Sequence, residues 1–451
     1  MRKLILYGLL ICPLSLAAQE QYTLEQCRQM ALKQNKEIAA SVKQTAMAHY
    51  MAKSYKGNFF PNFTANGTGF YSGTDGTFGI PGGNLPVLAP DATTGVLAPN
   101  GNYAYFPGID LNYKIGAIYA AGVQMEQPLY MGGKITAAYK MALLNRDLAR
   151  LSERKTASEV VVSTDKAYMM MVKAKEMMKV AGQYNKLLTE LHKNVQDAFK
   201  HGLKLRNDVL KVQVKLNDSE LAVRKAENAL RLARMNLCHE IGISLLSDID
   251  VSDDFPTVEQ QMAPKTLDIT NRPEYGMVGK QVDIARQQVK LARSEMLPQV
   301  GVKGMYSYLH GVKLNDQYLL DKGNYAVMLN VSVPLFHFGE RSNKIRSAKA
   351  QLQQARLQQE NANEQMLLEL TRAANNLDEA RLECDIADRS LTQAEENMTV
   401  SGNQYRVGLE TLSDYLEAQT MWQQSYEARV NAHFNLYLTF VEYRKAEGNL
   451  Q

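Results

Sequence analysis

The sequence lacks a long apolar run, and it lacks an excess of charge of either sign. After residue 18, no segment approaches the length of about 18 uninterrupted apolar residues that a transmembrane helix needs. The 51 basic and 47 acidic residues leave a net charge of +4 over 451 residues, which excludes a dedicated nucleic-acid-binding protein. With 45% hydrophobic residues, the composition also excludes a wholly disordered chain.

Cysteine and catalytic motifs are scarce as well. Of the four cysteines, Cys12 lies in the leader described below, while Cys27, Cys238 and Cys384 are far apart and form no C-x-x-C pair. We therefore expect buried free thiols, and neither a disulfide nor a metal site. The sequence contains no P-loop, G-x-S-x-G or H-E-x-x-H motif, so neither an enzyme nor a cofactor is predicted.

The first 18 residues have the pattern of an export signal. Arg2 and Lys3 form a basic start, residues 4–16 form a short apolar run, and Leu16-Ala17-Ala18 offers a cleavage site of small residues. The apolar run is too short to span a membrane. We therefore predict a signal peptide over 1–18 and an exported mature protein without a transmembrane helix.

Proline and glycine are almost missing from two long stretches. None of the 13 prolines lies between Leu129 and Phe255 or after Pro334, and residues 134–201 and 340–407 contain one glycine each. Since both residue types destabilise helix interiors, we predict two helices of about 100 Å, too long for an ordinary enzyme domain. Apolar residues in the first stretch recur at coiled-coil spacing, namely Met177, Val180, Tyr184, Leu187, Leu191, Val195 and Ala198.

Four other segments alternate apolar residues with small or polar ones. Their apolar positions are Phe63, Ala65, Gly67, Gly69 and Tyr71; Ala117, Tyr119, Ala121, Val123 and Met125; Val300, Val302, Tyr306 and Tyr308; and Tyr325, Val327, Leu329, Val331 and Val333. Segments of about ten residues with this alternation are typical of transmembrane β-strands. Aromatic residues stand where the strands would meet the helices: Phe59, Phe60, Tyr130, Phe336 and Phe338. A water-soluble antiparallel sheet with one buried face is the alternative.

The two halves of the chain repeat each other. Pro128-Leu129-Tyr130 matches Pro334-Leu335-Phe336, and Gly202-Leu203 matches Gly408-Leu409, each pair being 206 positions apart. Each half therefore predicts a short helix, a strand, a loop, a strand, a long helix, a turn and a return helix. Gly202 and Gly408 suit the C-caps of the long helices.

The remaining boundaries follow from this repeat. We expect helices at 24–56 and 273–296, and loops at 72–108 and 310–323. Asn207-Asp208 and Ser413-Asp414 suit the N-caps of return helices at 209–241 and 414–446. The predicted segments are 1–18 (signal), 19–60 (helical), 61–127 (two strands with a long external loop), 128–270 (helices and an equatorial segment), 271–297 (helical), 298–333 (two strands) and 334–451 (helices and C-terminal segment).

Four membrane strands cannot form a barrel within one chain. Lipid does not tolerate an open sheet edge, and single-chain barrels begin at about eight strands. If the strands lie in lipid, two chains would give eight strands and three chains would give twelve. The fold class expected is thus mixed α and β, with a β-barrel shared between chains above a barrel of long helices.

The chain resembles the TolC-type outer-membrane efflux proteins over essentially its whole mature length. The features that resemble this family are the twofold repeat, the Pro-Leu-aromatic-x-x-Gly joints and a motif that runs from Tyr405 to Ala418. The resemblance implies a homotrimer with a twelve-stranded barrel in outer-membrane lipid and a helical tunnel in the periplasm. It also implies a periplasmic adaptor protein and an inner-membrane pump as partners.

The resemblance further implies a gate at the turns of the inner tunnel end. Tyr405 is the expected gate tyrosine and Asp208 its acceptor, while Asp414 and Glu417 are the expected constriction carboxylates that make the channel cation-selective. Glu410 replaces the arginine of the family pattern. Lys204 and Arg206 on the first-half turn could therefore pair with Glu410 and reverse the polarity of the lock.

A soluble coiled-coil structural or adaptor protein of the cell envelope is the alternative function. It would leave the four alternating segments as a soluble sheet. A channel should need detergent for extraction, whereas the soluble protein should not.

Overall fold

The computed structural model describes residues 20–251, 255, 268–319 and 321–450. The predicted signal peptide lies outside the described residues, as do residues 252–254 and 256–267 of the segment predicted over 128–270. Helices make up most of what is described. They are α1 (Leu24–Gln34), α2 (Lys36–Gly57), α3 (Lys134–Lys200), α4 (Arg206–Glu240), α5 (Pro273–Ser294), α6 (Glu340–Val407) and α7 (Leu412–Glu447).

The strands alternate with these helices along the chain. They are β1 (Glu20–Tyr22), β2 (Asn62–Ile80), β3 (Gly83–Pro90), β4 (Leu97–Phe106), β5 (Ile109–Met131), β6 (Ile249–Val251), β7 (Gln299–His310), β8 (Lys313–Leu314), β9 (Gln317–Tyr318) and β10 (Asp321–Ser332). The two predicted long helices are confirmed, since α3 is continuous over 67 residues and α6 over 68. No helix among the described residues combines the length and the apolar character required to cross a membrane.

The prediction of one helix over 24–56 is wrong. The chain leaves the helical conformation at Asn35, whose backbone is extended (φ −64°, ψ 133°). The Asn35 side chain accepts a hydrogen bond from the Glu37 N–H (2.8 Å) and donates one to the Glu240 carbonyl (2.9 Å). Asparagine side chains satisfy backbone groups at helix ends in this way, so α1 and α2 are separate helices.

The prediction of an irregular loop over 72–108 is also wrong. β2 continues to Ile80, and β3 and β4 form a second antiparallel hairpin. The carboxylate of Asp91 accepts hydrogen bonds from the backbone N–H groups of Thr93 (2.8 Å) and Thr94 (2.9 Å). These bonds stabilise the turn between β3 and β4. The glycine and threonine content that indicated a coil is equally compatible with paired, extended strands.

The described chain forms two compact units. The first contains residues 20–50, 143–285 and 351–450, and the second contains 51–142 and 286–350, within the described ranges. In the first unit, α3, α4, α6 and α7 share an apolar core. Its largest fully buried member is Leu188, and its other buried residues include Tyr184, Val212, Leu391 and Trp422.

A buried ion pair lies in another part of the first unit. Asp165 on α3 is completely buried, and Arg28 on α1 donates to both of its oxygens, from Nε (2.7 Å) and Nη2 (2.5 Å). The hydroxyl of Tyr437 on α7 donates to Oδ2 of the same carboxylate (3.4 Å). This bidentate geometry is the strong form of an arginine–carboxylate contact, and it connects three helices that are far apart in sequence.

In the second unit, β2, β5, β7 and β10 form an antiparallel sheet. β5 is its centre, because it pairs with β2 along one side and with β7 along the other, and β10 pairs with the outer side of β7. The short strands β8 and β9 extend the sheet beside β5. The four segments predicted as strands are therefore strands of one sheet.

We predict that Arg28→Met destabilises the protein strongly, because it leaves the buried Asp165 carboxylate without a compensating charge. The loss of one partner of such a pair costs about 3–5 kcal/mol, and the thermal midpoint of the detergent-purified protein should fall accordingly. Arg150→Met, at an exposed arginine, should leave the midpoint unchanged. The double variant Arg28→Met/Asp165→Leu should recover much of the loss. An unaltered midpoint in Arg28→Met would contradict this interpretation.

Candidate functional site

The register of the sheet places the apolar positions of all four strands on one side. Residues that are directly opposite in antiparallel strands point to the same face, and Phe63 is opposite Met125, Val123 is opposite Tyr306, and Tyr306 is opposite Tyr325. We call this side the apolar face. Its members are Phe63, Ala65, Tyr71, Tyr119, Ala121, Val123, Met125, Val300, Val302, Tyr306, Tyr308, Tyr325, Val327, Leu329 and Val331.

The opposite side, the polar face, presents mainly amides, hydroxyls and charges. On this face, Glu126 on β5 is directly opposite Lys303 on β7, and Lys303 Nζ lies 2.6 Å from Glu126 Oε1. Other members are Asn62, Thr64, Asn66, Gln124, Ser307, Asn324, Asn330 and Ser332. One face of the sheet is thus apolar, and the opposite face of the same sheet is polar and carries charges.

Both faces of the outermost strand are uncovered. All 12 residues of β10 are exposed, and on the apolar face Tyr325 is 84% exposed, Val327 74% and Leu329 65%. Among the described residues, β10 pairs only with β7, and β2 only with β5. An apolar surface of this size marks contact with a membrane or with another protein, and the two unpaired edges can accept further strands.

Two turns form the second candidate site, in the helical unit. The first follows α3 and contains Gly202 (φ +74°), and the second follows α6 and contains Gly408 (φ +83°). Each helix ends in the same hydrogen-bond pattern, in which Leu203 N donates to the Ala198 carbonyl and Leu409 N to the Gln404 carbonyl, both at 2.9 Å. This is a Schellman motif, and its left-handed residue favours glycine. The predicted C-cap role of Gly202 and Gly408 is confirmed.

The return helices begin earlier than predicted, at Arg206 instead of residue 209 and at Leu412 instead of residue 414, so the predicted N-caps are wrong. Their N-cap residues are Leu205 and Thr411, while Asp208 and Asp414 occupy the N3 position. Each aspartate accepts a hydrogen bond from the backbone N–H of its N-cap residue, Asp208 from Leu205 (3.2 Å) and Asp414 from Thr411 (3.1 Å). The sequence reasoning missed the signal Thr411-x-x-Asp414, which has the spacing of a capping box.

Tyr405 is packed against residues of both turns. Its ring is stacked on Tyr415 (centroids 5.3 Å apart, planes at 17°), and Lys204 Nζ lies 4.8 Å from its centroid, within the range of a cation–π interaction. Burial, and then the nearby Asp208 carboxylate, raise the pKa of Tyr405. The structure therefore brings together Tyr405, Lys204 and Asp208, and it adds Tyr415, which sequence reasoning did not select.

Within one chain, Glu410 does not pair with the basic residues of the first turn. Its carboxylate accepts a hydrogen bond from the Ser401 hydroxyl on α6. In the described part of the chain, Lys204 contacts the Tyr405 ring instead, and Arg206 is exposed. Within the described part of a single chain, the predicted pairing of Lys204 and Arg206 with Glu410 is therefore absent, because Glu410 turns back toward Ser401 on α6.

The two proposed constriction carboxylates differ in their surroundings. Asp414 is held at the start of α7, where the Thr411 hydroxyl and then the Thr411 N–H lower its pKa. Glu417 is exposed and lines a groove between α4 and α7 together with Lys211 and Lys215. Asp414 is therefore negatively charged at neutral pH, whereas Glu417 shares its groove with two positive charges.

The comparisons with known proteins give the class to which this chain belongs. Residues 27–242 and 269–449 match the family model described as outer membrane efflux protein. Because this match covers most of the sequence, the chain belongs to the outer membrane efflux protein family and is a protein of the outer membrane. The family is one of efflux proteins rather than enzymes.

Individual relatives are distant. The chain is 23% identical over 250 residues to the alkaline protease secretion protein AprF of Pseudomonas aeruginosa, an alignment that covers 52% of this chain and only 50% of AprF. It is 20% identical over 350 residues to the outer membrane protein TolC of Vibrio cholerae, covering 74% and 77% of the two chains. The fold is similar to that of the CmeC outer membrane channel of Campylobacter jejuni (TM-score 0.77, 18% identity, 94% of this chain and 85% of CmeC).

We predict that Thr411→Ala loosens the start of α7, because the Thr411 hydroxyl accepts from the Asp414 N–H (3.3 Å) and donates to its carboxylate (2.6 Å). Loss of such a cap costs about 1 kcal/mol, so the backbone amides at 412–415 should exchange hydrogen roughly fivefold faster.

Leu205→Ala is the matched control, since Leu205 holds the equivalent position but its side chain makes no capping bond.

The pKa of Asp414 is lowered in the folded protein. The stabilising contribution of its charge is therefore present above its unfolded pKa of about 3.9 and is lost as the pH falls through the folded pKa. Equal exchange rates in wild type and Thr411→Ala at neutral pH would contradict the prediction.

Proposed function

We propose that this protein is the passive exit duct of a tripartite efflux or secretion system. The observation that supports the proposal is the sheet with one apolar face, one polar face and two unpaired edges. In lipid, every backbone N–H and C=O must be paired, so a sheet with open edges has to close with other copies. Three chains would close a barrel of twelve strands, which is within the range known for bacterial outer-membrane barrels.

In this barrel the apolar face meets lipid and the polar face lines the channel. Tyr325, Val327 and Leu329 then lie against acyl chains, where their exposed surface is favourable. Lys303 and Glu126 lie in the water of the lumen, where a paired charge has a small cost. The helical unit extends into the periplasm, and the segments between β2 and β5 and between β7 and β10 face the outside of the cell.

The turns that contain Gly202 and Gly408 form the gate of the channel. The contact of Lys204 with the Tyr405 ring holds the two turns together in the closed state, with Asp208 as the acidic partner of Tyr405. Stacking on Tyr415 fixes the Tyr405 ring within the second turn. Three copies of Asp414 and Glu417 around the axis create a negative ring that favours cations. Opening requires these contacts to separate when a partner binds.

The partners are a periplasmic adaptor protein and an inner-membrane pump. The chain has no nucleotide-binding motif, so the energy for transport comes from the pump. The names of the relatives mention both protease secretion and efflux, and both classes of cargo fit a passive duct.

We predict that Leu329→Arg prevents stable insertion into the membrane. A charge on the lipid-facing side near the middle of the bilayer costs about 2–4 kcal/mol, and three chains repeat the cost. Asn330→Arg is the matched control, because the adjacent residue lies on the polar face of the same strand. The measurement is the amount of detergent-extractable trimer in the outer-membrane fraction. Equal trimer yields for the two variants would show that the apolar face does not meet lipid.

We predict that Tyr405→Ala raises the single-channel conductance in planar bilayers, since it removes both ring contacts of the gate. Tyr405→Phe keeps the ring contacts, so its single-channel conductance should be close to that of the wild type. If Tyr405→Phe opens the channel as far as Tyr405→Ala, the hydroxyl contact and not the ring packing holds the gate. Glu410→Gln tests in the same assay whether Glu410 forms an ion pair between chains.

We predict that Asp414→Asn/Glu417→Gln reduces the cation preference measured as a reversal potential in asymmetric KCl. Glu442→Gln, an exposed acidic residue near the other end of α7, is the control and should leave the preference unchanged. A protein that conducts no ions and needs no detergent would be the soluble coiled-coil protein instead.

A further inference from the structure

Three side chains that bind metals meet between α6 and α7 in the helical unit. Cys384 and Asp388 are one helical turn apart on α6, and His433 approaches them from α7. The sulfur, a carboxylate oxygen and a ring nitrogen of these residues all lie within 4.8 Å of one another. Sequence reasoning did not find this cluster, because His433 is 45 positions from Asp388 and only the packing of the two helices brings them together.

The set of donor atoms fits one chemical class of ion. A thiolate, an imidazole and a carboxylate are ligands of Zn²⁺ and of similar transition metals, whereas Ca²⁺ and Mg²⁺ prefer oxygen alone. Zinc holds such donors at about 2.0–2.3 Å, so donors around one ion are about 3.5 Å apart. Closing the cluster around an ion therefore requires side-chain movements of about one ångström.

The surroundings orient the three residues. Arg429 Nε donates to Oδ1 of Asp388 (2.7 Å), and His433 Nε2 lies 3.0 Å from the same oxygen, so both contacts use one oxygen and leave Oδ2 for an ion. Hydrogen bonds that hold a carboxylate in this way are typical of carboxylates that bind metals. Phe255 packs beside the His433 ring (centroids 5.9 Å apart).

The charge balance is also compatible with a bound ion. The Cys384 side chain is 5% exposed and packs with Ala387 and Ala432. An ion that binds the sulfur would displace the thiol proton. A divalent cation with one thiolate and one carboxylate is neutral as a group, so it adds no repulsion toward Arg429.

We propose that Cys384, Asp388 and His433 bind a zinc-type divalent transition metal ion that cross-links α6 to α7. Both helices run from the turn at Gly408, and the cluster lies about 30 Å from that turn along each of them. The ion fixes the two helices to each other at this level while their ends at the turn are held by other contacts. This site is independent of the proposed channel function.

The test is a titration of the full-length, detergent-purified protein with Co²⁺, a spectroscopic substitute for Zn²⁺. We expect one equivalent per chain to produce the absorption of a thiolate–cobalt bond together with the visible bands of tetrahedral Co²⁺. Cys384→Ser should abolish the thiolate absorption and His433→Gln should weaken the visible bands. Cys238→Ser is the matched control, because Cys238 is also a buried free cysteine but lies outside the cluster.

A second measurement is independent of the spectra. Zn²⁺ should raise the thermal midpoint of the wild type and of Cys238→Ser, but not that of Cys384→Ser. If the cluster variants do not fold, the wild-type Co²⁺ spectrum alone decides. A wild-type protein without thiolate–cobalt absorption, or a Cys384→Ser variant that keeps it, would overturn the proposal and leave Asp388, Arg429 and His433 as a polar contact between two helices.

Discussion

The unpaired backbone of two edge strands is the constraint on which the rest of this molecule depends. The sheet leaves one side of β2 and one side of β10 without partners among the described residues, and its apolar face is largely uncovered. Neither feature is stable for an isolated chain in water or in lipid. The assembly proposed above would satisfy both together, because it would pair the edges and direct all apolar faces outward.

The helical unit solves a different physical problem, which is how to hold long helices side by side. One means is the apolar core shared by α3, α4, α6 and α7, and a second is the buried pair of Arg28 and Asp165. The pair fixes which helices are neighbours, since a bidentate contact tolerates little displacement.

The helical unit contains two polar clusters that differ in whether they could bind a further ligand. Arg28 and Asp165 satisfy each other, and no further ligand is required. Cys384, Asp388 and His433 differ from that pair. They offer three atoms that can bind a metal ion, and the chemical types of these atoms fit a zinc-type ion. This difference is why the second cluster supports a proposal about binding and the first supports only a prediction about stability.

The sequence by itself determined the periodicities. The absence of proline predicted α3 and α6, the alternation in four segments predicted the strands, and the repeat of Gly202 at Gly408 predicted two equivalent turns, because each of these signals is local. Irregular composition misled the prediction at 72–108, where pairing with a partner strand decides the conformation. Only the tertiary structure decided that the four apolar strand faces lie on one side, that Tyr405 stacks on Tyr415, and that His433 meets Cys384. The first and the last of those facts depend on register and helix packing, which are set by contacts between residues far apart in the chain, and the second depends on how the chain reverses at Gly408.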